Sequence, residues 1–260
     1  MTTDDTTTET AGLSAALQTQ RAVLTASAER LAALVAPLSA EELRRQAYPT
    51  EWSVADVLSH LGSGAVILRR RLDGDVDAQA VWDEWNAKEP EAQAGDARAA
   101  DRALLDRLAA LTPDEEAQIR LAMGPVELDL TTFLGLRVNE HALHTWDVAV
   151  TIDATATVPE AAAALMVDTL PMMTRFVGKP TGADRDITIR TDSPTGHFIV
   201  ALRPDGVTLS PGDPVERPDL ELTADALVRL VFGRLDPDHT PTMKGSPSDL
   251  EELRRAFPGF

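Results

Sequence analysis

The chain has 260 residues, 43% of them hydrophobic but only 4% aromatic, with no cysteine and a formal net charge of −18. That length suits one large domain or two ordinary ones. The missing cysteine excludes disulfides, thiolate metal sites and a cysteine nucleophile, and the acidity opposes nucleic acid and anionic membranes, which need a positive patch.

Residues 1–10, MTTDDTTTET, are polar and acidic. They lack the basic start and apolar stretch of a secretory signal, and we read them as a disordered tail. No apolar run nears the roughly 20 residues that span a bilayer. The expectation is a soluble, cytoplasmic protein. With so few aromatics, Ala, Leu and Val must build the core, and Ala and Leu favour helix.

Leu13, Leu17, Leu24, Leu31, Leu34 and Val35 recur at helical spacing, and Pro37 stops that helix. Ser53, with Asp56 three residues on, predicts the capped start of a second helix, which Asp73-Gly74 ends. Residues 79–89 are expected to form a shorter helix, and 101–111 an amphipathic one on Leu104, Leu105, Leu108 and Leu111. Gly124-Pro125 breaks the chain, and a long helix follows over 128–150. Four substantial helices with short connectors suggest an antiparallel four-helix bundle.

The pattern changes after Asp153. One more helix is expected over 159–177. Short alternating runs then read as strands at 186–190, 197–202 and 206–209, with a hairpin turn at Arg203-Pro204-Asp205-Gly206 and a further strand at 220–222. Thr223 is expected to cap a helix to Leu235, and Ser248 a last one to Ala256. We therefore divide the chain into a tail (1–10), a helical domain (11–155) and a separate α+β domain (156–260).

Glu140 and His144 lie four apart in the long helix, one above the other on a face, where a carboxylate and an imidazole can share one metal ion. His60 sits mid-way along the second helix among apolar neighbours. A bundle can bring it against the long helix, completing a His/His/Glu set that suits zinc with open positions. Nickel, cobalt, manganese and iron fit the same ligand types. A satisfied core histidine is the other reading of His60. His141 competes as a ligand, but the Glu140/His144 spacing aligns best. Asp147, near the same stripe, either orients His144 or bonds locally.

The stretch Trp52-Ser53-Val54-Ala55-Asp56-Val57-Leu58-Ser59-His60-Leu61 resembles the W-(S/T)-V-x-D-(L/V)-x-x-H-L signature of the mycothiol-dependent maleylpyruvate isomerase family, part of the DinB-like metalloenzyme superfamily. The stretch Glu140-His141-Ala142-Leu143-His144-Thr145-Trp146-Asp147 resembles its second signature, E-x-x-x-H-x-W-D. Further on, Ala226-Leu227-Val228-Arg229-Leu230-Val231-Phe232-Gly233-Arg234, ending in Phe-Gly-Arg, looks like the L-x-x-L-(W/F)-G-R helix of the family's second domain. The resemblance implies a DinB-like four-helix bundle followed by a smaller sterol-carrier-like α+β domain. It implies His60, Glu140 and His144 as metal ligands. Arg234 matches a recurrent arginine that faces the cleft or simply ends a helix. Trp52 and Trp146 match family positions and are read as core packing.

The activity so implied is that of an isomerase or S-transferase that uses mycothiol, with a divalent metal such as zinc, on a small electrophilic substrate. A cation lowers the pKa of a thiol from its free value of about 8.5, and the thiolate is the nucleophile. In the isomerase reaction that thiolate adds to an activated double bond, the resulting single bond rotates, and loss of the thiol gives the trans product. Arg234 and one or two of Arg69, Arg70 and Arg71 are candidate cations for anionic substrates, although a solvated surface is the ordinary reading of three adjacent arginines. Two other functions use the same residues: a metal-dependent hydrolase activating water, and a non-catalytic carrier of a small apolar ligand.

Overall fold

The computed structural model describes residues 3–48, 51–74, 76–124 and 126–259. It divides into two compact units, Met1–Ala156 and Thr157–Phe260. Among the described residues, no helix is long and apolar enough to cross a membrane.

The first unit is mainly helical: α1 (Thr3–Val35), α2 (Ala40–Leu43), α3 (Val54–Asp73), α4 (Ala78–Asn86), α5 (Pro90–Ala109), α6 (Pro113–Gln118) and α7 (Leu130–Ile152), with a hairpin of β1 (Arg120–Met123) and β2 (Val126–Asp129) between α6 and α7. The long helices pack α1 on α7 and α3 on α5, with further contacts of α1 on α5 and α3 on α7. The starts of α2, α3, α4, α6 and α7 carry side-chain caps. Ser53 caps α3, accepting from Asp56 N–H at 3.1 Å while Asp56 accepts from Ser53 N–H at 2.8 Å, which satisfies orphan donors at the helix start.

Three sequence expectations differ from this. The helix α1 begins at Thr3, so residues 3–10 of the expected tail are drawn as helix; extending an existing helix is far easier than nucleating one. The expected helix at 101–111 starts at Pro90, because the inward face of its first half carries Gln93, Ala97 and Ala100 rather than large apolar residues. The break at Gly124-Pro125 falls within the β1–β2 hairpin, whose four-residue strands are too short to show an alternating signal; Pro125 itself lies outside the described residues.

The tight α3–α5 packing depends on Gly62. A Cβ there would stand 2.3 Å from the Trp85 ring and 2.9 Å from Ala97 Cα. Alanine gains about 1 kcal/mol in helix propensity, but overpacking costs about 1–3 kcal/mol, and a backbone atom cannot yield as a side chain does. We expect Gly62→Ala to destabilise the protein by about 1–2 kcal/mol, read as a lowered urea midpoint. An unchanged midpoint would mean that α5 slides to admit the methyl.

The second unit holds α8 (Glu160–Val177), β3 (Arg185–Asp192), β4 (Gly196–Arg203), β5 (Gly206–Pro211), β6 (Leu220–Thr223), α9 (Ala224–Val231), a 3₁₀ turn (Pro237–His239), β7 (Lys244–Gly245) and α10 (Pro247–Ala256). The strands form one sheet in the order β5-β4-β3-β6-β7, antiparallel except between β3 and β6. Period-two alternation buries Ile187 and Ile189 on β3, Phe198, Val200 and Leu202 on β4, and Val207 and Leu209 on β5. Arg203 pairs with Gly206 across the predicted turn, and Thr223 caps α9 as expected.

The expected helix from 223 to 235 stops at Val231, with Gly233 at φ +69° reversing the chain. The last helix is capped by Ser246 rather than Ser248. Pro247 sits in its first turn, where a missing N–H costs nothing.

Candidate metal centre

His60 projects from α3 and Glu140 and His144 from α7, so two helices supply the three side chains that the spacing singled out. Each offers one donor atom, and these lie within 4.8 Å of one another; among the described residues they form a group able to hold a metal ion. His60 Nε2 donates to Glu140 Oε2 at 2.9 Å. His144 Nε2 lies 3.6 Å from the same oxygen.

Asp147, one turn on, accepts from His144 Nδ1 at 2.8 Å and is fully buried. That bond fixes the ring and leaves Nε2 facing Glu140, the arrangement by which an outer carboxylate orients a histidine ligand. Partial desolvation pushes the half-exposed Glu140 carboxyl up, but hydrogen bonds from His144 and His60 outweigh it and hold the group well below the usual carboxylate range. Burial pushes His144 down, and its bonds to Asp147 and Glu140 more than reverse this. Two imidazoles and an ionised carboxylate converging on one point are a donor set suited to a divalent cation.

His141 turns the other way. It is fully buried, with Nε2 donating to Asp101 Oδ2 at 3.0 Å and Nδ1 against Ser27 Oγ at 3.0 Å and Thr145 Oγ1 at 3.2 Å. Arg137 joins, donating to Leu61 O at 2.8 Å and Asp101 Oδ1 at 3.3 Å. Room for its guanidinium depends on Gly64, where a Cβ would meet Arg137 Nη1 at 2.9 Å. The competing ligand of the sequence reading is thus engaged in an interior network that ties α1, α3, α5 and α7 together.

Trp146 is fully buried, its Nε1 donating to Ala156 O at 2.8 Å, in keeping with a packing role. Trp52, also read as core packing, is instead half-buried and stacks on His144, with centroids 5.4 Å apart and planes at 22°. The arginine run at the end of α3 engages its surroundings: Arg69 lies 3.9 Å from Asp73, and Arg71 donates to Ala122 O at 3.4 Å. Arg234 stands in the second unit, 6% exposed, donating to Phe232 O at 3.0 Å.

A helical unit with two histidines and a glutamate meeting across α3 and α7 defines a candidate metalloprotein. Residues 24–149, which contain all three side chains, match the family described as the mycothiol maleylpyruvate isomerase N-terminal domain. In fold, the chain is similar to the crystal structure of the mycothiol-dependent maleylpyruvate isomerase, with a TM-score of 0.61 at 12% identity over 84% of this chain and 89% of that one. A histidine-to-alanine mutant of that protein gives the same TM-score, identity and coverage. No curated protein matches the sequence.

Proposed function

We propose that this protein is a metal-dependent enzyme that uses mycothiol, as cofactor or co-substrate, acting as an isomerase or an S-transferase on a small electrophilic substrate. The observation that carries the reading is the convergence of the His60, Glu140 and His144 donor atoms within 4.8 Å, inside residues that match the mycothiol maleylpyruvate isomerase N-terminal domain family. On this reading the first unit is a DinB-like bundle and the second a sterol-carrier-like domain, with the boundary near residues 155–156. Zinc is the proposed ion and the cytoplasm the proposed location.

A bound divalent cation supplies the charge that lets a thiol ionise near neutral pH, and mycothiol supplies the thiol group that this cysteine-free chain lacks. The chain's own residues hold and orient. His60 and Glu140 bring α3 and α7 to a common point, and Asp147 sets the ring of His144. Arg234 is the proposed cation for an anionic substrate, since a planar guanidinium binds a carboxylate bidentately.

The test is turnover of maleylpyruvate by purified protein, with and without mycothiol and after chelation. Conversion that requires both supports the isomerase form. Thioether formation on other electrophiles supports the transferase form. Hydrolysis without any thiol would replace this reading with the water-activating one.

A further inference from the structure

Trp52 makes contacts that packing alone does not call for. Its ring centroid lies 5.4 Å from that of His144 and 5.1 Å from that of His60, while the two imidazoles are 4.7 Å apart. The three rings form a closed triangle, with the indole nearly parallel to His144 and tilted 47° to His60. On the other side of His144, Asp147 holds Nδ1 at 2.8 Å. The Glu140 side chain is 49% exposed.

The backbone around Trp52 is tied in place. Ala47 N–H donates to Trp52 O at 2.8 Å and Val54 N–H to Arg45 O at 2.9 Å, around a bridge between Gln46 and Ser53. Tyr48 N–H donates to Asp147 O at 3.3 Å, and the Tyr48 ring meets Trp146 edge-on at 5.2 Å. The segment bearing the indole is therefore fastened to α7 at the residue that orients His144. The capping box at Ser53 fixes the next residue in the chain.

We propose that Trp52 is a positioning residue of the metal centre: its indole fixes the planes of both imidazoles and walls off one side, so that exogenous ligands approach from the Glu140 side. This rests on His60, Glu140 and His144 being the ligands. His60 needs such a support because it comes from a different helix and its side chain is 37% exposed. An imidazole with a loosely set ring presents its nitrogen to a shared ion only part of the time, and preorganisation removes that cost.

The experiment compares zinc and cobalt binding by wild type, Trp52→Phe and Trp52→Leu, with melting of the chelated proteins alongside. Phenylalanine keeps a flat ring and should retain zinc affinity within about threefold. Leucine keeps apolar volume without the ring face and should lose on the order of 10–100-fold, the usual cost of removing an outer support of a ligand. It should also alter the visible bands of bound cobalt, while chelated melting temperatures stay close. Wild-type zinc affinity and an unchanged cobalt spectrum in Trp52→Leu would overturn the proposal.

If the leucine variant fails to fold, fluorescence decides. Metal should change tryptophan emission in wild type and leave Trp52→Phe unchanged. An equal change in both would overturn the proposal. A wild type that binds no metal overturns the ligand reading and this inference with it, whereas failure of the inference alone leaves wild-type binding intact.

Discussion

His144→Ala is expected to strip the protein of most of its metal, lowering affinity by more than about 100-fold, beyond what loss of an outer partner costs. The imidazole supplies one of three donor atoms that converge within 4.8 Å, and two donors hold a divalent ion far less well than three. Asp147→Asn should fall between, losing on the order of 10–100-fold, because the ligand remains but its ring is no longer held by a carboxylate. Metal content after gel filtration, together with competition against a chelator of known affinity, gives both values. Equal losses in the two variants would make Asp147 as important as a ligand. No loss in His144→Ala would remove the site.

The second large effect concerns stability. Asp101 is 6% exposed and faces both Arg137 and His141. Asp101→Ala strands their donors in the interior, and breaking such a buried pair costs about 3–5 kcal/mol. Denaturant unfolding should show it directly. Burial pushes the Asp101 carboxyl up, but His141 and Arg137 outweigh it and hold the group below its ordinary 3.8. A carboxylate depressed on folding contributes stability that is present above its unfolded pKa and lost as pH falls through the folded one. The stability gap between wild type and Asp101→Asn should therefore be full at neutral pH and close as pH drops below 3.8. A gap that does not vary with pH would place the effect in packing rather than charge.

The candidate site was legible because helix geometry translates spacing into place. Glu140 and His144 are one turn apart, and Ser53 with Asp56 marks where α3 begins, which puts His60 mid-helix among apolar neighbours. His141, the competing ligand, is engaged with Asp101, Ser27 and Thr145 instead. What the sequence withheld is carried by partners far apart in the chain. Ser27, Asp101, Arg137 and His141 come from three helices, and no local pattern announces that polar residues will meet inside a core. For the same reason the early start of α5 was missed, since its buried face is built from Gln93, alanines and Asp101. Trp52 precedes a helix cap, and its stacking on two rings from two helices depends on how the loop is fastened to α7.

In the second unit, alternation along β3, β4 and β5 made the strands readable. The two-residue β7 carries too few residues for any period to show.

On the proposed function, the His60, Glu140 and His144 group holds a metal at which mycothiol binds as its thiolate. Titration calorimetry of mycothiol into metal-loaded protein, repeated in buffers of different ionisation enthalpy, tests it most directly. The free thiol is mostly protonated at pH 7, with a pKa of about 8.5, so binding as the anion must release a proton. The expected result is metal-dependent binding with close to one proton released per thiol, abolished by chelation and weakened in His60→Ala. Metal-loaded protein that binds no mycothiol at millimolar concentration, or binds it equally well after chelation, would contradict it.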